Sequence, residues 1–175
     1  FSSIGFAFMF VEIPLIQRLG VFLGHPIYGL TVVLFTLLFF CGLGSNYSKK
    51  VQTRKHAQGL FMLLFIGLML IAFLLPAVIQ WATAVPVFLK IIIALLSLCS
   101  VGFLMGIPFP LGVANVSAGP RTPLIFYWAV NGFTSMCGSA FAMVILIHMG
   151  YPWAVMFGLF FYLAAFAAMQ KFIKL

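Results

Sequence analysis

Six apolar stretches, each close to the length of a bilayer-crossing helix, dominate the chain. They fall at residues 2–19, 26–44, 59–80, 85–105, 123–149 and 152–170. A helix rises about 1.5 Å per residue, so roughly 20 apolar residues cross the hydrocarbon layer. Inside lipid every backbone polar group must be satisfied internally, which leaves helices or a closed barrel. Barrel strands are short and alternate in polarity; these runs are long and unbroken. The expectation is an all-α, polytopic transmembrane bundle of about six helices. It forms a single domain over residues 1–175, and Phe1, with no charged leader before it, reads as the start of a segment of a longer chain.

The charge pattern agrees with this. Only 6% of residues are charged, against about 25% in soluble domains. Nine Lys and Arg face a single acid, Glu12. With six alternating crossings, Lys49, Lys50, Arg54, Lys55, Arg121, Lys171 and Lys174 share one side, and Arg18 and Lys90 lie near the other. Basic residues mark the cytoplasmic side, so both chain ends are expected there, in a bacterial inner membrane. Arg18 and Lys90 sit near span ends, where long basic side chains reach the interface. No soluble basic face exists to bind nucleic acid. Cys41, Cys99 and Cys137 lack metal-ligand spacing and read as small buried side chains.

Turn residues punctuate the spans. Gly24-His25-Pro26 reads as a tight turn with Pro26 opening the next helix. The segment 46–58 is the most polar loop. Two prolines and two glycines in Gly106-Ile107-Pro108-Phe109-Pro110-Leu111-Gly112 should prevent a regular helix there. Gly42 and Gly44 read as ending the second span and packing closely. Gly132, Ser135, Gly138, Ser139 and Ala142 in the fifth span, and Ala154, Gly158, Ala164 and Ala168 in the sixth, have the spacing of close helix packing.

Glu12 is the residue most in need of explanation. A carboxyl group within hydrocarbon costs about 3 kcal/mol on insertion scales. Pro14, two residues on, removes a donor and strips the Phe10 carbonyl of its helical partner. One reading is a binding site for a proton, a cation or a substrate amine; the other is a hydrogen-bonded acid fixing the first helix against its neighbours. Asn131, at mid-depth in the fifth span, is a candidate partner. Gln17 is poorly phased with Glu12, and His25 lies toward the outer side. These four form the candidate intramembrane polar site. No nucleophile elbow, phosphate loop or metal-ligand set is present, so no catalytic, cofactor or metal residue is assigned.

The run Gly5-Phe6-Ala7-Phe8-Met9-Phe10-Val11-Glu12-Ile13-Pro14-Leu15-Ile16-Gln17-Arg18 leads into Leu23-Gly24-His25-Pro26-Ile27-Tyr28, then Gly42-Leu43-Gly44-Ser45. Met105-Gly106-Ile107-Pro108-Phe109-Pro110-Leu111-Gly112 and Trp128-Ala129-Val130-Asn131-Gly132 follow. Together these resemble the C-terminal membrane segment of the bacterial membrane-embedded spermidine-synthase-like family. The resemblance implies a soluble aminopropyltransferase-like, Rossmann-type domain elsewhere in the full protein. No catalytic residue of that domain has a counterpart here.

Three functions remain open. The first is a non-catalytic scaffold or accessory subunit, with membrane lipids and protein subunits of a larger complex as partners. The second is a transporter or channel for a cationic or amine solute using Glu12. The third is the membrane part of a polyamine-synthase-like enzyme.

Overall fold

The computed structural model describes residues 1–51, 53–117 and 124–172. Those residues form seven helices: α1 (Ser2–Leu23), α2 (Pro26–Ser48), α3 (Arg54–Trp81), α4 (Val87–Met105), α5 (Pro108–Ser117), α6 (Leu124–Met149) and α7 (Tyr151–Phe172). No strand occurs among the described residues. The fold is an all-α bundle with six helical segments long and apolar enough to cross a membrane, α4 and α5 together supplying one of them. Arg121 and Lys174 lie outside the described residues.

α1 is the axis of the bundle. Twelve of its 22 residues are buried, and it packs against α2, α4, α6 and α7. α2, α4, α3 and α7 touch in that order and close a circuit through α1. α6 lies outside this circuit, against α1 and α7; its buried residues are Gly138 and Ala142. Its outer face carries Ile125, Trp128, Phe133, Met136, Phe141 and Ile147, all exposed. A contiguous apolar face of this extent is rare on a soluble monomer and ordinary on a helix facing lipid.

The first hairpin follows from three residues. Gly24 takes a left-handed conformation (φ 80°), and its N–H closes the last turn of α1 on the Val21 carbonyl. That geometry is the one for which a missing Cβ matters. His25 then caps α2, its Nδ1 accepting from the Ile27 N–H at 3.3 Å, and Pro26 occupies the first helical position, where no N–H is needed. Gly150 (φ 86°) alone makes the junction between α6 and α7.

Several sequence-based boundaries need correction. α1 continues to Leu23, and α2 continues to Ser48 through Gly42 and Gly44, so these glycines do not end it. Gly44 lies instead where a Cβ would overlap the Phe103 carbonyl oxygen of α4. α3 begins at Arg54, so the polar loop shrinks and Arg54 and Lys55 form a helical first turn. The segment 106–112 interrupts the helix only briefly. α4 ends at Met105, and α5 starts at Pro108. Prolines 108 and 110 both fall in the first turn of α5, where a missing donor costs nothing.

The ends of the bundle are tied by polar contacts. Arg54 at the start of α3 donates through Nε to Gln170 Oε1 at 3.0 Å, and a second guanidinium nitrogen donates to the same oxygen. Gln58 Nε2 also donates to it, at 3.3 Å. These contacts place the C-terminal part of α7 at the same end of the bundle as the basic loop.

Candidate functional site

Glu12 lies in the bundle interior and is 6% exposed. With α1 extended to Leu23, it sits roughly 16 Å from that end of the helix, near mid-membrane. Two side chains on other helices feel its charge. The Cys41 thiol of α2 and the Tyr162 phenol of α7 both lie within electrostatic reach of the carboxyl group and of each other. Among the described residues no base lies against it: Arg18 turns to the Tyr151 ring, and Lys90 to the Phe22 ring.

Each member of this cluster is set by its helix. Cys41 Sγ donates to the Gly102 carbonyl of α4 at 3.0 Å. That contact exists because α2 and α4 approach at backbone distance. A Cβ on Gly106 would overlap the Cys41 backbone, and one on Gly102 would press on Leu37 and Phe40 at 3.3 Å. Tyr162 is fully enclosed at 0% exposure, and its hydroxyl has no hydrogen-bond partner among the described residues. Close packing of α7 on α1 brings it there: a Cβ at Gly158, one turn earlier, would stand 2.9 Å from Val11 Cγ2 and 3.2 Å from the Ala7 carbonyl oxygen. Pro14, also buried, leaves the Phe10 carbonyl on α1 without its helical donor.

The other proposed partners lie elsewhere. Asn131 packs beside Gly5, whose Cβ would meet the Asn131 carbonyl oxygen at 2.5 Å. Gly5 is seven residues from Glu12, roughly 10 Å along α1. The Asn131 carbonyl accepts from Ser135 Oγ at 2.9 Å and Thr134 Oγ1 at 3.1 Å, while its Oδ1 is buried without a donor. Gln17 is exposed, and so is His25, which is engaged as the cap of α2. The structure therefore places Cys41 and Tyr162 within electrostatic reach of Glu12, and leaves Asn131, Gln17 and His25 apart from it. The sequence alone gives Cys41 only as a small buried side chain and does not single out Tyr162. No spacing in the sequence ties residues 12, 41 and 162 together; the seams around Gly102, Gly106 and Gly158 do.

Of the small-residue positions, Gly138, Ala142, Ala154 and Gly158 are buried. Gly138 meets Phe6 and Met9 of α1 and Gly158 meets Ala7 and Val11, so α1 occupies both seams. Gly132 is different: it is exposed, and a Cβ there would meet nothing within 4 Å.

Glu12 lines neither of two grooves among the described residues. One, about 690 Å³, is an open apolar groove between α3 and α7 lined by Met62, Phe65, Met69, Phe73 and Leu163 among others. Another of about 220 Å³ lies at the basic-loop end between Ser3, Asn115, Tyr127 and Met169. The arrangement around Glu12 is an enclosed acid with a thiol and a phenol within electrostatic reach. Comparison with family models, curated proteins and solved structures finds no match to this chain.

Proposed function

We propose that this chain is a non-catalytic integral membrane module, acting as a scaffold or accessory subunit in a larger membrane assembly. The observation behind this reading is the burial of Glu12 in the bundle interior, at 6% exposure, with the α3–α7 groove lined by other residues. In this reading the acid pins the axial helix to its neighbours. The exposed α6 face supports a protein partner: Gly132 leaves a notch between Trp128 and Met136, the kind of close-approach point a neighbouring helix uses. Lys49, Lys50, Arg54 and Lys55 would face the cytoplasm of a bacterial inner membrane. Extraction in mild detergent, followed by cross-linking and native mass spectrometry, tests the reading. A co-purifying subunit is expected, with cross-links from α6; a lone monomer without partners would overturn it.

One observation favours a second reading, a carrier of cationic or amine solutes. The Tyr162 hydroxyl is buried without a partner and within electrostatic reach of Glu12, and a guest with N–H or metal-like charge would suit both. Unchanged flux for Glu12→Gln, where the wild type transports, would dispose of it. The third reading, the membrane part of a polyamine-synthase-like enzyme, rests on the resemblance of residues 5–28 and 105–112. A full gene without a Rossmann-type domain would remove its basis.

A further inference from the structure

The open groove between α3 and α7 leads to cations. On α3, Lys55, Gly59, Met62, Ile66, Met69 and Phe73 follow one another at steps of three or four residues and so share a face. The last four of these line the groove. On α7, Leu159 and Leu163 form the facing wall, and Phe166 and Gln170 continue that row by the same steps. Phe166 packs on Phe61 with ring centroids 5.0 Å apart, and Gln170 accepts from Arg54. The groove and the Arg54–Gln170 contact therefore belong to one α3–α7 seam. Gly59, between Lys55 and Met62, is exposed, and a Cβ there would meet nothing within 4 Å. No side chain on this row separates the cation from the groove.

The depths match a phospholipid. Gln58 is the last polar residue before a long apolar run on α3. Arg54 lies four residues outside it, roughly 6 Å, within a headgroup layer roughly 5–8 Å deep. Met62 lies roughly 6 Å inside it and Met69 roughly 16 Å, so an acyl tail one leaflet deep, about 15 Å, ends beside Met69. The charge matches as well. Arg54 and Lys55 are exposed, and the only acid, Glu12, is buried in the bundle interior. Gln170 occupies Nε and one amino group of Arg54, and the other amino group has no acceptor among the described residues. A guanidinium anchored in this way keeps donors for a phosphate. No glycine, alanine or serine lines the groove, so a neighbouring helix could not approach closely there. Methionine side chains instead adapt to a flexible tail.

We propose that the α3–α7 seam seats one anionic phospholipid, with its phosphate on Arg54 and Lys55 and an acyl tail in the groove. The test is native mass spectrometry of the delipidated protein titrated with phosphatidylglycerol, phosphatidylcholine, diacylglycerol or glycerol phosphate. One phosphatidylglycerol should bind, at least roughly fivefold tighter than phosphatidylcholine or diacylglycerol, and glycerol phosphate, which has no tail, should not be retained. Lys55→Gln, a surface change, should weaken phosphatidylglycerol binding roughly fivefold, the effect of one basic residue at an anionic surface. Met69→Trp, which fills the groove where the tail ends, should weaken it at least as much. Lys90→Gln, on α4 at the opposite end, should bind as wild type does. Binding unchanged in Lys55→Gln, or equal for phosphatidylglycerol and phosphatidylcholine, would overturn the headgroup site. Binding unchanged in Met69→Trp, or glycerol phosphate retained as well as phosphatidylglycerol, would overturn the tail's seat. A protein subunit, in place of lipid, captured by a photo-cross-linker at Met69 would overturn both.

Discussion

At the residue scale, the cost of burying polar groups decides what Glu12 and Tyr162 can be doing. An enclosed phenol hydroxyl without a partner is a loss of about 1–3 kcal/mol that phenylalanine would not incur. Tyr162→Phe is therefore expected to keep or raise the thermal stability in detergent. A drop of about 1 kcal/mol or more would mean that the hydroxyl is hydrogen-bonded, with Glu12 as one candidate within electrostatic reach. Glu12→Gln keeps hydrogen-bonding capacity and removes any ionised form, so stability should be unchanged or higher. Glu12→Lys places a strongly hydrated cation at mid-membrane, at about 2.5–3.5 kcal/mol on insertion scales. Its level in membranes, read by immunoblot against Glu12→Gln, should fall severely. The cost of Glu12 was legible in the sequence because a single carboxyl group in a hydrocarbon span stands out by itself. Its neighbours were not, because Cys41 and Tyr162 look like ordinary apolar-span residues until the helices are packed.

At the element scale, glycine positions sort into seams and bare surface. Gly44 on α2 has the Phe103 carbonyl of α4 where a Cβ would go, and Gly132 on α6 has nothing. Gly44→Ala must push two backbones apart, and a loss of about 1–3 kcal/mol is expected. Gly132→Ala meets no neighbour and gains helix propensity, up to about 1 kcal/mol. Thermal unfolding of the two purified variants in one detergent checks the contrast; equal effects would contradict the packing described. In the sequence both glycines look alike, each within an apolar run, and only the direction of its helix face separates them. The break at Gly106 was legible from its two prolines. That the helix resumes at once was not, because prolines tolerated in a first turn look the same as prolines that end a helix.

At the scale of the whole molecule, the number of spans and the all-α architecture follow from the length of the apolar runs and the scarcity of charge. The choice of α1 as axis, and of α6 as the outlying helix, does not. Both are mainly apolar, and in lipid an apolar side chain is equally at home facing tails or neighbours, so hydrophobicity carries little inside–outside signal. Pairing had to come from shape: Gly20 of α1 against Gly29 of α2, Gly5 against Asn131, and Gly158 against Ala7 and Val11. The resulting bundle has two distinct ends, His25 exposed at one and Lys49 at the other, with Glu12 closed off between them. Single-cysteine labelling in intact membranes tests this most directly. With Cys41, Cys99 and Cys137 replaced by Ala, cysteine is introduced singly at His25, Glu12 and Lys49, and treated with a membrane-impermeant maleimide from each side. His25→Cys and Lys49→Cys should react from opposite sides, and Glu12→Cys only after denaturation. Labelling of Glu12→Cys in the intact membrane, or of the other two from the same side, would contradict an enclosed acid in a membrane-spanning bundle.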